Sequence, residues 1–188
     1  MDKFRGKYRI PSDRAAWHGY DGGVYFVTIC TAERAHYFGE IDDGVMQLSE
    51  IGIIVKDCFA RLSSCYPYAE IPLFVIMPNH VHAIVVISGN YVNGNDDGRD
   101  AIHRVSGLTA TATEIPRNPM TSKSLGTVIR GMKARVSRAA HRKGIPFGWQ
   151  ARFYDHIIRN IHEMNRIAEY IENNAAEWDS DEMNIDPW

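Results

Sequence analysis

The stretch PLFVIMPNHVHAIVVI, Pro72 to Ile87, constrains the fold more than any other part of the chain. Two apolar runs flank a Pro-Asn corner, so they read as two strands joined at Met77-Pro78-Asn79-His80. The second run opens with two imidazoles one residue apart. Side chains at i and i+2 of a strand point the same way. His80 and His82 can therefore aim at one point while Val81 turns into the core. Two converging neutral imidazoles are the start of a divalent-metal site. A metal seldom accepts only two protein ligands, so a third has to come from elsewhere. A lone His-x-His pair in a strand is more often incidental than a metal site. The proline-containing corner, however, puts this pair at the sheet margin.

The neighbouring segments supply the rest of a sheet. GGVYFVTICTA, Gly22 to Ala32, is β-branched and aromatic and reads as a strand. A turn at Asp42 to Gly44 separates HYFGEI from VMQLS and suggests a hairpin-like pair. Ser49 can then cap a helix to about Ser64, in which Ile51, Ile54, Val55, Cys58, Phe59 and Leu62 recur at helical spacing. A second helix is expected from about Ser124 to Arg142, with the stripe Leu125, Val128, Ile129, Met132 and Val136. WQARFYDHIIR reads as an extended segment or strand. The last helix starts near Asn160, where Asn160 and Glu163 are spaced like a capping box. Met164, Ile167, Ala168, Ile171 and Ala175 form its core stripe. Between these elements, about 88–121 is rich in Gly, Asn, Asp, Thr and Pro and reads as a long flexible loop. About 179–188 is a polar tail, with Trp188 as its anchor. This order predicts one α+β domain over 1–188, with mainly antiparallel strands and helices packed on one face.

Composition excludes some classes of protein. Of the 188 residues 45% are hydrophobic, enough for one core. No window approaches the roughly 20 apolar residues of a membrane helix, and the basic, polar N-terminus lacks the apolar stretch of a secretory signal. The three cysteines, Cys30, Cys58 and Cys65, have no metal spacing and read as reduced, mostly buried thiols of a cytoplasmic protein. The net charge of -2 hides an asymmetry. Ten Lys/Arg stand against one acid between Arg117 and Asn160, and eight acids against one base between Glu163 and Asp186. A basic segment suits phosphates, although a solvated helix face is the plainer explanation.

The final helix offers partners for the histidine pair. Tyr170 and Asn174 are four apart, one above the other on a face that adjoins the apolar stripe. Each has an ordinary explanation too, as an amphipathic-helix tyrosine and as a residue near a helix C-cap.

Taken together, MPNHVH, DHIIR and YIENN, with YFVTIC and SLGTVIRGMKARVSR, resemble the HUH single-tyrosine transposases, and within them the REP-associated tyrosine transposase branch. The resemblance runs from roughly Ala15 to Trp178. It implies a ferredoxin-like α+β sandwich with a central antiparallel sheet. It also implies His80, His82 and Asn174 as ligands of Mg²⁺ or Mn²⁺, and Tyr170 as nucleophile. Related branches carry proline after the position of Asn174. Here Ala175 follows, which predicts a longer last helix.

The implied activity is cleavage and rejoining of single-stranded, hairpin-containing DNA through a 5′-phosphotyrosine. A divalent ion would offset charge on the scissile phosphate. Asp155 and His156 are expected either to orient the metal ligands or to hold their strand to the neighbouring helix. Tyr154 is a rival nucleophile but lacks an amide one helical turn away. Arg130, Lys133, Arg135, Arg138 and Arg142 of the basic helix, extended by Arg152 and Arg159, are the candidate contacts to the DNA backbone. Trp149 can stack on an unpaired base or sit in the core. The alternatives are a non-catalytic hairpin-DNA-binding relative and a metal-dependent hydrolase using water. A monomer and a homodimer are both compatible with the resemblance.

Overall fold

The structure, a computed structural model, describes residues 22–88 and 123–184. Nearly all of the expected loop at about 88–121, the N-terminal basic stretch, Arg117 and Trp188 lie outside the described residues. The element order is β1 (Gly23–Cys30), a 3-10 turn (Ala32–Arg34), β2 (Gly39–Asp42), β3 (Val45–Leu48), α1 (Glu50–Ala60), α2 (Leu62–Cys65), β4 (Ala69–Met77), β5 (His80–Ile87), α3 (Leu125–Arg142), β6 (Tyr154–Ile158), α4 (Ile161–Asn173) and a second 3-10 turn (Trp178–Ser180).

Strands β4, β5, β1 and β6 form one sheet in that order, and every neighbouring pair is antiparallel. Set aside the β2–β3 hairpin and the short α2, and the path is β1–α1–β4–β5–α3–β6. Each long helix carries the chain past one intervening strand. This is the ferredoxin-like βαββαβ arrangement.

Local chemistry explains the boundaries. Asp43 (φ 48°) and Gly44 (φ 70°) take left-handed backbone between β2 and β3, as a two-residue hairpin turn with matching twist requires. Ser49 caps α1 by accepting from Gly52 N–H at 3.1 Å, one of the orphan donors of a helix start. Pro72 sits in the edge strand β4 at a register shift between Glu70 and Leu73, where a missing N–H is tolerated. Asn160 caps α4 by accepting from Glu163 N–H at 2.9 Å. The expected capping box is only half made. The Glu163 carboxylate accepts from Arg159 N–H at 2.9 Å and meets His156 Nε2 at 2.7 Å.

Alternation along the strands divides the core in two. Tyr25, Val27 and Ile29 of β1 and Val81, Ala83, Val85 and Ile87 of β5 pack with Ile51, Val55 and Phe59 of α1 and with Leu125, Val128, Ile129, Met132 and Val136 of α3. On the other face Val24, Phe26, Ile84 and Ile158 meet Met164, Ile167, Ala168 and Ile171 of α4. The helices therefore do not share one face, as the sequence had suggested. β1 and β5 carry apolar residues on both sides, and α4 covers the second.

The last helix meets no proline at its end, and Asn174 keeps helical backbone. It ends at Asn173, and Asn174 caps it. One more turn closes with Glu177 N–H donating to Asn173 O at 3.2 Å before the chain folds back. Trp178 anchors that return. It is buried and lies against His36 and His80, with ring centroids 5.8 and 6.1 Å away.

Candidate active site

His80 and His82 are the first and third residues of β5, and their rings point to the α4 face, opposite Val81. Their Nε2 atoms are 3.0 Å apart. They begin their strand, as the Pro78-Asn79 corner predicts, yet they are buried, at 0% and 3% exposure. Phe26 stacks on His82 with centroids 5.2 Å apart, Tyr170 stands edge-on to the same ring, and Trp178 covers His80.

The second nitrogen of each ring is held by the protein. Asn79 donates through Nδ2 to Met183 O at 2.9 Å, so its Oδ1 is the acceptor facing His80 Nδ1 at 2.7 Å. His80 therefore carries its proton on Nδ1, and its Nε2 presents a bare lone pair. Thr28 Oγ1 lies 2.8 Å from His82 Nδ1. It can accept that proton and leave a second bare Nε2. Burial first, then the charge of His82 and of Arg34, pushes the His80 pKa down to about 2. Burial and then Arg34 push that of His82 down to about 3. Both rings are neutral at ordinary pH, which is the form that binds metal.

Tyr170 and Asn174 come from the last turn and the cap of α4, held over the sheet by buried Ile171. The Tyr170 hydroxyl is 3.2 Å from His82 Nε2. Burial, then the Asp181 carboxylate, pushes the phenol pKa up. Asn174 is 2% exposed and donates from Nδ2 to Asp181 Oδ2 at 3.3 Å, while its buried Oδ1 has no hydrogen-bond partner among the described residues. A buried amide oxygen without a partner is unusual. Two bare imidazole nitrogens and one orphaned amide oxygen form a donor set that a hard or borderline divalent cation fits. Among the described residues no group of three or more His, Cys, Asp and Glu forms a metal cluster.

The other residues singled out in the sequence are placed differently. His156 shares the histidines' face, as the partner of Phe26 in the β1–β6 register, but it ties β6 to α4 through Glu163. Asp155 points to the opposite face by strand alternation. The groups that face the Nδ1 atoms of the imidazoles are Asn79 and Thr28. Tyr154 is 51% exposed and touches Phe26 edge-on.

The basic helix α3 packs under the face away from α4. Lys133 turns inward and donates to the carbonyls of Gln150 and Arg152, so it fastens the segment before β6. Burial lowers its pKa to about 8. Arg135 donates to the exposed Cys65 thiol. Arg130, Arg138 and Arg142 are exposed on the same helix, and Arg152 on the segment before β6. Of the basic residues foreseen, Arg159 lies nearest α4, where it lines a shallow cleft with Asn160, His162, Glu163 and Arg166. Trp149 belongs to the core, donating to Lys133 O at 3.1 Å. Arg34, which no motif marked, carries its charge close to both imidazoles.

No family model matches the chain. A Haemophilus influenzae protein described only as uncharacterized is 35% identical over 170 residues, which span 87% of this chain and 86% of that protein. Among solved structures, the REP-associated tyrosine transposase bound to a REP hairpin aligns with a TM-score of 0.51 at 20% identity, over 84% of this chain and 68% of that one. That likeness shows the fold. The chain thus belongs to one family with the Haemophilus influenzae protein and is a structural relative of the REP-associated tyrosine transposases.

Proposed function

We propose that this chain is a DNA strand transferase that cleaves and rejoins single-stranded DNA beside a hairpin, with Tyr170 as nucleophile. The observation that carries the reading is the meeting of four groups. The Tyr170 hydroxyl lies 3.2 Å from His82 Nε2, which is 3.0 Å from His80 Nε2. The orphaned Asn174 oxygen is one helical turn beyond the tyrosine. The structural relative is described as bound to a REP hairpin, and DNA of that shape is the substrate proposed for this chain.

His80, His82 and Asn174 would hold Mg²⁺ or Mn²⁺, whose chemistry when bound is Lewis-acid polarisation of the phosphate. The protein's own part is positioning. Asn79 and Thr28 fix the imidazoles, and Ile171 seats the helix turn that carries the phenol. Tyr170, whose phenol pKa is raised by burial and then by the Asp181 carboxylate, is protonated at neutral pH. Its oxygen then attacks phosphorus, and the P–O3′ bond breaks. Tyr170 retains the 5′-phosphate, the phenol gives up one proton and the leaving 3′-oxygen takes one up. Attack by a 3′-hydroxyl on the phosphotyrosine reverses the exchange, so the bond energy is conserved and no nucleotide cofactor is required. Tyrosine and histidines come from one chain, so a monomer suffices.

The test is incubation of the protein with labelled hairpin-bearing single strands and Mn²⁺, followed by denaturing electrophoresis. A protein–DNA adduct that disappears in Tyr170→Phe is expected. A nicked product without adduct would assign the chemistry to water, and binding without either product would leave a hairpin-binding protein.

A further inference from the structure

The turn after β1 is held in a conformation its residues do not favour. Glu33 and Arg34 both have left-handed backbone, with φ of 55° and 59°. Non-glycine residues are uncommon there, and two in succession persist only where surrounding contacts impose them. Thr31, wholly buried, places Oγ1 2.8 Å from Ala35 O and 3.0 Å from Asn79 O, and its N–H donates to Asn79 O at 2.9 Å. Phe38 N–H donates to Pro78 O at 3.0 Å. The strained turn is thus laced to the same Pro78-Asn79 corner from which Asn79 orients His80.

The same turn carries a side chain with an unmet polar atom. Arg34 Nη1 is buried and has no hydrogen-bond partner among the described residues. A guanidinium nitrogen withdrawn from water without a partner is unfavourable, and such groups call for an explanation. Its turn is bound through Thr31 to Asn79, the residue that holds His80 Nδ1, and its charge lies close to both imidazoles. A fixed cation beside a pair of metal-binding rings repels a second cation unless an anion enters with it. An anion brought to the bare Nε2 atoms and the Tyr170 hydroxyl would supply the partner that Nη1 lacks.

We infer that Arg34 binds a non-bridging oxygen of the phosphodiester that Tyr170 attacks. The inference rests on the strand-transfer reading and adds to it a residue for the scissile phosphate. A guanidinium fork matches two phosphate oxygens. In phosphoryl transfer the charge lies on the equatorial oxygens of the transition state, and a donor already held in place stabilises it without reorganisation.

Two measurements test this. With hairpin-bearing single strands and Mn²⁺, Arg34→Gln should slow adduct formation about 100-fold, the scale of removing one preorganised donor. The second measurement needs no metal and no reaction. In a Tyr170→Phe background with EDTA, DNA with an uncharged methylphosphonate at the cleavage position is compared with natural DNA. Arg34 protein should prefer the charged strand by about tenfold, as for a hydrogen bond to a charged group, and Arg34→Gln should show no preference. A purely structural arginine would weaken both strands alike. If Arg34→Gln melts early, Arg34→Lys takes its place and should lose part of the preference. A preference unchanged by either substitution overturns the assignment while leaving the tyrosine chemistry intact. Absence of any adduct with the unaltered protein overturns both.

Discussion

Val81, Ala83, Val85 and Ile87 of β5 enter the large core with α1 and α3, whereas His80, His82 and Ile84 of the same strand meet α4. On the first face alternation with apolar residues yields a close-packed layer of twenty buried side chains. On the second only Ile84, Ile158 and Ile171 form the buried cluster, and polar groups fill the remainder. Thr28, Thr31, Asn79, His80, His82 and Asn174 are buried at or beside the polar face, while Tyr154 and Tyr170 at its rim are 51% and 42% exposed. The difference lies in how burial is compensated. One face needs only shape, while the other needs a partner for each polar atom, and among the described residues Asn174 Oδ1 and Arg34 Nη1 have none. Where compensation is left incomplete, a ligand can supply it.

The largest effect should separate two tyrosines on the polar face. Tyr154 and Tyr170 both stand edge-on to Phe26, at 6.4 and 6.2 Å. Of the two, Tyr170 reaches His82, its hydroxyl 3.2 Å from Nε2. Tyr170→Phe should reduce the covalent DNA adduct below detection on a denaturing gel, and Tyr154→Phe should leave it unchanged. The reverse result would exchange their roles.

Next comes the support of the imidazoles. Asn79→Ala frees the His80 ring and should weaken Mn²⁺ binding by about 10–100-fold, as removal of such orienting partners does elsewhere. His156→Ala removes only the tie to Glu163 and should leave Mn²⁺ affinity as it was. Calorimetric titration compares the two. Equal losses would mean that β6 takes part in holding the metal.

A smaller contrast sets the two cores against each other. Ile129→Ala under α3 and Ile171→Ala under α4 should each destabilise the protein by about 2–5 kcal/mol in denaturant titration. At temperatures where both variants are folded, only Ile171→Ala should lower adduct yield, because Ile171 adjoins Tyr170 in α4. Equal yields would show that α4 keeps its register without that anchor.

Much of this arrangement was legible in the chain. Apolar, β-branched and aromatic runs marked β1, β4 and β5. Asp43-Gly44 marked the hairpin, and Ser49, Ser124 and Asn160 stand at the N-caps of α1, α3 and α4. The spacing of His80 with His82 and of Tyr170 with Asn174 shows which side chains share a direction. It cannot show that the two directions meet, which depends on which side of the sheet α4 takes. Strand parity alone should have separated Asp155 from His156, since neighbours on a strand face opposite ways. Thr28 needed the β1–β5 register, in which it lies opposite His82. Arg34 was beyond reach. Neither Glu33 nor Arg34 is a residue that favours left-handed backbone, and the contacts that impose it come from Thr31 and the distant Pro78-Asn79 corner.

The basic residues give the finest contrast between the faces. Arg138 and Arg142 are exposed on α3, across the sheet from Tyr170, while His162 and Arg166 precede Tyr170 on α4 at intervals of four and so share its side of the helix. Arg159 and Arg166 line one cleft there. A strand reaching Tyr170 along α4 would meet those two before any charge on α3. Each phosphate contact removed lowers the slope of log affinity against log salt by about 0.7 for single-stranded DNA. Replacing Arg159 and Arg166 by Ala should therefore flatten the slope by about 1.4 at most, and replacing Arg138 and Arg142 should change it by less. A larger change from the α3 pair would place the hairpin stem on the far face, with only the cleaved strand passing round the edge of β6 to the tyrosine.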